Sequence, residues 1–233
     1  MINTKQMKNI TDIFFDLDHT IWDFDKNSEI SYKLIFNELN LDVPLNEFLS
    51  VYKDINVRLW KLFREDKIDK ETLRYDRLKK SFLQIGIDYP ESLLKEIADL
   101  YIFYLSKQTH LIDGAFEVLE YLKPKYRLHI ITNGFAEIQD NKLNNSNLAN
   151  YFDVVVNSEM AKVKKPNPII YEMALNLAKV SKENALMIGD SLEADVLGAI
   201  DFGIDAICYN YHNDEMPGNI KSIDNLIELI TIL

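Results

Sequence analysis

The sequence predicts an α/β fold, a doubly wound parallel sheet with an α-helical domain inserted into it. Three observations predict this. Apolar runs recur without polar alternation, at Ile13 to Phe15, Ile130 to Ile131, Val154 to Val156 and Met187 to Ile188. Such runs suit strands buried on both faces of a parallel sheet. From about residue 108 onward they alternate with helical stretches of roughly ten to fifteen residues, the pattern of βαβ units. Between about residues 27 and 107 the spacing of apolar residues is helical throughout, with no convincing strand. The expected core domain is therefore discontinuous, residues 1–24 and 108–233, and Rossmann-like. Residues 25–107 form the inserted helical domain.

The elements follow in order. The first strand runs from Asp12 to Asp18. A helix from Asn27 to Leu39 carries Ile30, Leu34 and Ile35 at helical spacing. The next, Leu45 to Phe63, has Asn46 as its expected N-cap. A third spans Lys70 to Ile85 and stops at Gly86, and a fourth spans Glu91 to Ser106 after Pro90. Gly114 to Leu122 reads as a helix broken by Pro124. Arg127 to Thr132 is a strand, followed by a helix from Phe135 to about Leu148. Val154 to Val156 is a strand and Asn167 to Ala178 a helix. Ala185 to Ile188 is a strand, and Leu192 to Phe202 a helix ended by Gly203. Ala206 to Tyr209 is the last expected strand. Ser222 to Leu233 is the terminal helix, capped by Ser222 or Asp224.

Composition bounds the function. At 233 residues, 47% of them hydrophobic and 27% charged, the chain can bury a full core as one domain with an insertion. A net charge of −11 argues against a nucleic-acid polymer as partner, because that needs a basic footprint. It is compatible with a small phosphorylated metabolite, held locally by a metal, one or two lysines or helix N-termini. The single cysteine, Cys208, stands in an apolar stretch and reads as a small buried hydrophobe, and no internal disulfide is possible. No run reaches the roughly 18 apolar residues of a membrane span. The polar first ten residues lack the apolar core of a signal peptide. The expected location is the cytoplasm, with no membrane partner, as a monomer or small homo-oligomer.

The chemistry gathers where predicted strands end. Asp16 and Asp18 are two residues apart, so on a strand they would point into one crevice beyond its carboxyl end. Paired carboxylates there repel unless a cation or a shared proton relieves them. Thr132-Asn133-Gly134 brings a hydroxyl and open backbone amides to a second strand end, which suits a phosphate. Lys162, Lys164 and Lys165 precede Pro166, which starts a helix. Gly189-Asp190, with Asp195 five residues on, follows a third strand. Singly these read as a turn, solvated lysines and a helix cap. Together, in this order, they converge on one crevice.

This set resembles the haloacid dehalogenase superfamily of phosphohydrolases, whose signatures read here as Asp16-Leu17-Asp18-His19-Thr20, Thr132-Asn133-Gly134, Lys165-Pro166 and Gly189-Asp190 with Asp195. The likeness covers essentially the whole chain, including a helical cap inserted after the first motif. Within the superfamily, Ile130 to Phe135, Lys165 to Pro168 with Tyr171, and Asn210 to His212 are similar to the bacterial pyrimidine 5′-nucleotidases.

The resemblance implies a Mg²⁺-dependent phosphomonoester hydrolase acting through an aspartyl-phosphate. Asp16 would be the nucleophile. Asp18 would protonate the leaving oxygen and then deprotonate water, with its backbone carbonyl on the metal. Asp16, Asp18 and Asp190 would hold Mg²⁺. Thr132, the amide of Asn133 and Lys165 would hold the phosphate. Thr20 and Asp195 would support these groups from behind, Asp195 by orienting metal waters or Lys165. The family places its cation next to the proline, which favours Lys165 over Lys164 and Lys162. His19 reads as a turn residue, and Trp22 and Phe24 as packing. The alternatives are a sugar-phosphate phosphatase or phosphomutase of the same superfamily and, in another class, a catalytically silent regulatory protein on this fold. A dehalogenase is disfavoured because it has no use for Asp18.

Overall fold

A computed structural model describes residues 9–233. The chain divides into two compact units. One joins the segment up to Phe24 to Thr109–Leu233, and the other is Asp25–Gln108. The first unit is built on six strands: β1 (Asp12–Phe15), β2 (Arg127–Thr132), β3 (Val154–Asn157), β4 (Ala185–Gly189), β5 (Asp205–Tyr209) and β6 (Ser222–Ile223). All pairings are parallel, in the order β3-β2-β1-β4-β5-β6. The four residues of β1 are fully buried. They sit between β2 and β4, which is why the sequence there shows no alternation.

The second unit is helical: α1 (Phe24–Glu38, entering from the first unit), α2 (Leu45–Arg64), α3 (Lys70–Gln84) and α4 (Glu91–Leu105). Helix α2 packs on α3, and α3 on α4. Pro44, not Asn46, occupies the N-cap of α2 and makes no side-chain cap bond. Its fixed φ suits a helix entrance. Asp69 caps α3 by accepting from the Thr72 amide at 2.7 Å. The interior is strongly aromatic. Tyr32 stacks on Tyr101 at 4.5 Å between ring centres and meets Phe48 and Tyr52 edge-on at 4.8 and 4.9 Å. The guanidinium of Arg77 is buried among them, 4.8 Å from the Tyr101 ring centre and 3.3 Å from Asn56 Oδ1.

The remaining helices belong to the sheet unit: α5 (Ala115–Leu122), α6 (Ala136–Asn145), α7 (Ser158–Ala161), α8 (Pro168–Ala178), α9 (Gly198–Phe202) and α10 (Leu229–Ile232). They flank the sheet on both sides. Phe14, Ile131, Val156 and Met187 pack from one face against Ile170, Tyr171 and Ala174 of α8 and Ala199 of α9. Cys208 is buried in β5, and burial pushes its thiol up to about 12. Among the described residues, no helix is long and apolar enough to cross a membrane.

Four boundaries depart from the expected ones, each for a local reason. β1 ends at Phe15, because the chain turns back and the amides of Ile21 and Trp22 reach the Leu17 carbonyl at 3.0 and 2.8 Å. Asp16 and Asp18 therefore lie beyond the strand, not on its pleat. Helix α6 stops at Asn145, with Asn147 in the left-handed region (φ 57°) just after it. The helix after β4 opens with a π-helical segment, Leu192–Leu197, before α9. The expected terminal helix begins instead with β6, which pairs Ser222 with Cys208. Asn225 then caps a 3₁₀ turn reciprocally with Glu228. Burial of Ile223 at the edge of the sheet outweighed helical spacing there.

Candidate active site

The register decides which residues meet. Phe15 lies opposite Ile130 of β2 and Ile188 of β4. The carboxyl ends of β1, β2 and β4 are thus level, and the strand order runs in opposite directions on either side of β1. Open α/β sheets bind ligands at such a switch point. Asp16 follows β1 directly, and its amide is held by the Ile188 carbonyl at 2.8 Å.

Lys165 is the centre of the arrangement. Its side chain is 1% exposed, and Nζ lies 2.5 Å from Asp16 Oδ1, 2.6 Å from Asp195 Oδ1 and 2.5 Å from the Ile131 carbonyl. Burial disfavours the charge on this lysine, but Asp16 and Asp195 outweigh that and hold its pKa above the ordinary value. Lys162 is exposed and Lys164 half-buried, so of the three lysines only Lys165 enters the crevice. The loop is fixed by Asn133, whose side chain accepts from the Lys165 amide at 2.7 Å and donates to its carbonyl at 3.0 Å. The Asn133 side chain is therefore committed to the lysine loop, which leaves only its backbone for a phosphate.

Asp190 follows β4. Thr20 Oγ1 donates to its carboxylate at 3.2 Å and accepts from its amide at 3.0 Å. Gly189 is required here: a Cβ would lie 2.4 Å from the Asp195 carboxyl. Asp195 also accepts from the Ser191 amide at 3.0 Å. Oxygens of Asp16, Asp190 and Asp195 come within 4.8 Å of one another. Burial pushes the Asp16 carboxyl well above the usual carboxylate range; Lys165 opposes this, and the charges of Asp195 and Asp190 add to it. Burial also raises Asp195, while Asp190 is lowered against its own burial by His212, His19 and Lys165. Asp16 and Asp195 share the Lys165 ammonium, Asp190 has His212 Nε2 at 3.5 Å, and the three clustered carboxylates offer hard oxygen donors. That set fits a hard divalent cation.

Asp18 faces elsewhere. Its Oδ1 is 2.6 Å from Lys142 Nζ, and its Oδ2 accepts from Gln139 Nε2 at 3.1 Å. Gln139 also donates to Thr132 Oγ1 at 2.8 Å, and the Gly134 amide donates to the same oxygen at 3.0 Å. The carboxylate of Asp18 thus stands apart from the Asp16, Asp190 and Asp195 cluster. Gln139 and Lys142 were not singled out from the sequence. The available signal was a glutamine and a lysine three apart in a helix, beside the buried Ile138 and Leu143. His19 sits in a left-handed turn (φ 64°), its ring 5.0 Å from that of Phe24. Trp22 is fully buried and donates to Ser146 at 3.2 Å.

Sheet and site together define a Rossmann-like α/β protein with carboxylates and one buried lysine at a topological switch point. The chain belongs to the haloacid dehalogenase-like hydrolases, whose family model matches residues 13–209. It is 37% identical over 205 residues to the pyrimidine 5′-nucleotidase PynA of Streptococcus pneumoniae, covering 87% of this chain and 85% of that one. It is 29% identical to the pyrimidine 5′-nucleotidase YjjG of Escherichia coli, covering 95% and 96%. The magnesium-bound crystal structure of the HAD-hydrolase YfnB from Bacillus subtilis superposes with a TM-score of 0.86 at 30% identity, covering 96% and 98%. The chain is accordingly an enzyme, a phosphomonoester hydrolase of this superfamily, acting on a small phosphorylated substrate.

Proposed function

We propose that the enzyme is a Mg²⁺-dependent 5′-nucleotidase that prefers pyrimidine nucleoside monophosphates. The observation that carries the chemistry is a division of labour. Two carboxylates only two residues apart are held by different lysines, Asp16 by Lys165 and Asp18 by Lys142. Such separate surroundings support one carboxylate attacking phosphorus and the other moving a proton. The nucleotide preference is supported by the likeness to PynA and YjjG.

In this reading an Asp16 oxygen forms a bond to phosphorus as the bond to the leaving oxygen breaks, and Asp18 gives that oxygen its proton. Asp18 then takes a proton from water. The water oxygen bonds to phosphorus, the Asp16–phosphorus bond breaks, and phosphate leaves. Lys165 neutralises charge on Asp16 and the phosphoryl oxygens. Thr132 and the Asn133 amide orient those oxygens. Mg²⁺ would be held by Asp16, Asp190 and the Asp18 carbonyl, and it would supply positive charge to offset that of the phosphoryl oxygens. Thr20 and Asp195 hold Asp190 and Lys165 in place. The helical unit, residues 25–108, acts as a cap that selects the leaving group.

A hydrolysis panel with Mg²⁺ tests this. dUMP, dTMP and UMP are expected to give a higher kcat/KM than glucose 6-phosphate. The reverse order would replace the nucleotidase reading with a sugar-phosphate phosphatase.

A further inference from the structure

Helix α6 carries a lysine where an apolar residue would be cheaper. Lys142 is 2% exposed, on a helix whose neighbouring buried positions are Ile138 and Leu143. Burying an ammonium costs free energy unless it is paired. Its Nζ lies 2.6 Å from Asp18 Oδ1 and 4.1 Å from the ring centre of Trp22. Trp22 is fixed in turn by its bond to Ser146, one residue beyond the end of α6. One turn back along the helix, Gln139 holds the other Asp18 oxygen and, with the same amide nitrogen, Thr132. Both oxygens of the Asp18 carboxylate are thereby fixed from a single face of one helix. The same face reaches the hydroxyl expected to bind phosphate.

We infer that Lys142 is a positioning residue for Asp18. With Gln139 it sets the orientation of the proton-carrying carboxylate relative to the phosphate-binding hydroxyl. A carboxylate free to rotate loses part of the advantage of a fixed geometry. The inference rests on the acid–base role proposed for Asp18. It makes a prediction that simple loss of packing does not. A leaving group that needs a proton will suffer, and one that departs as a stable anion will not suffer to the same extent.

The test compares first-turnover release of deoxyuridine from dUMP with release of p-nitrophenolate from p-nitrophenyl phosphate. The proteins are the wild type, Lys142→Met, Lys142→Arg and Asp18→Asn, all with Mg²⁺. Methionine keeps the buried stem and removes the charge. If that variant fails to fold, Lys142→Gln serves in its place. Lys142→Met is expected to lower the dUMP rate relative to the p-nitrophenyl phosphate rate about tenfold or more, part of the roughly 10²–10⁴-fold that general acid–base catalysis typically contributes. Lys142→Arg is expected to restore much of the ratio. If Asp18→Asn shifts the ratio and Lys142→Met lowers both rates equally or neither, the positioning role is overturned and the reading of Asp18 stands. If Asp18→Asn leaves the ratio unchanged, the acid–base assignment itself falls, and the role given to Lys142 falls with it.

Discussion

At the scale of single residues, burial decides which cation matters. Lys165 and Lys164 are adjacent in sequence, yet only Lys165 is sequestered, within 2.6 Å of two carboxylates. Lys165→Ala is expected to cost about 10²–10³ in rate, as for loss of an aligned charge-stabilising donor. Lys164→Ala should change kcat by little. The check is steady-state kinetics on the same phosphate ester, and a worse result for Lys164→Ala would show the loop to be misassigned by one residue. His129 offers a second test, remote from the chemistry. It is buried in β2 with Nε2 2.8 Å from Asp12 Oδ1, and burial lowers its pKa below the ordinary value despite that carboxylate. The folded chain therefore resists a proton that the unfolded chain takes up below about pH 6.5. Stability from this source is complete above that pH and is lost as pH falls toward the lower folded value. Urea unfolding at pH 7 and pH 5 should show a smaller pH dependence for His129→Gln than for the wild type. Equal slopes would mean that His129 is protonated in the fold.

At the scale of elements, the helical unit contains a charge that its packing does not explain. The Arg77 guanidinium lies against the rings of Tyr52 and Tyr101, and its Nη1 donates to Asn56 Oδ1 at 3.3 Å. Among the described residues, Nε of Arg77 has no hydrogen-bond partner. Cation–π contact with Tyr52 and Tyr101 recovers part of the desolvation cost. Replacing a buried charge by an apolar side chain of similar length is often neutral or stabilising. Arg77→Met is expected to raise unfolding stability by about 1 kcal/mol, read as a rise in Tm of a few degrees for a chain of this size. A fall of that size would show that the aromatic contacts outweigh the cost of burial.

At the scale of the whole molecule, the parallel sheet delivers three carboxylates to one place, Asp16 and Asp195 buried and Asp190 half-buried, with one ammonium between the buried two. A bound divalent cation relieves that repulsion only in the folded state, so it stabilises the fold by mass action. Adding Mg²⁺ to protein stripped with EDTA should raise Tm, and Asp190→Asn should reduce the rise. Activity should vanish in excess EDTA and return with Mg²⁺. Full turnover in the chelator would sink the metal assignment.

Much of this fold and site is legible in the sequence. Unalternated apolar runs identified the parallel strands, because a strand covered on both faces has no solvent side to encode. Strand ends marked by Asp16, Thr132 and Gly189 pointed to one crevice for the same topological reason, and helical spacing marked out the inserted unit. The resemblance assigned Asp16 and Asp18 different roles, but their spacing alone gave no sign of their different surroundings. Their spacing suggested a shared direction, whereas the turn after Phe15 sends Asp16 to Lys165 and Asp18 to Lys142. Nor could the sequence distinguish Ser222–Ile223 from a helix start, since edge pairing with β5 is a long-range contact. Residue types and their periodicity are local information, and they determined the class of fold and the chemistry on offer. Which side chains share a proton, a cation or a phosphate depends on contacts across more than a hundred residues, such as Lys142 to Asp18 (124 apart), and only the tertiary structure decided those.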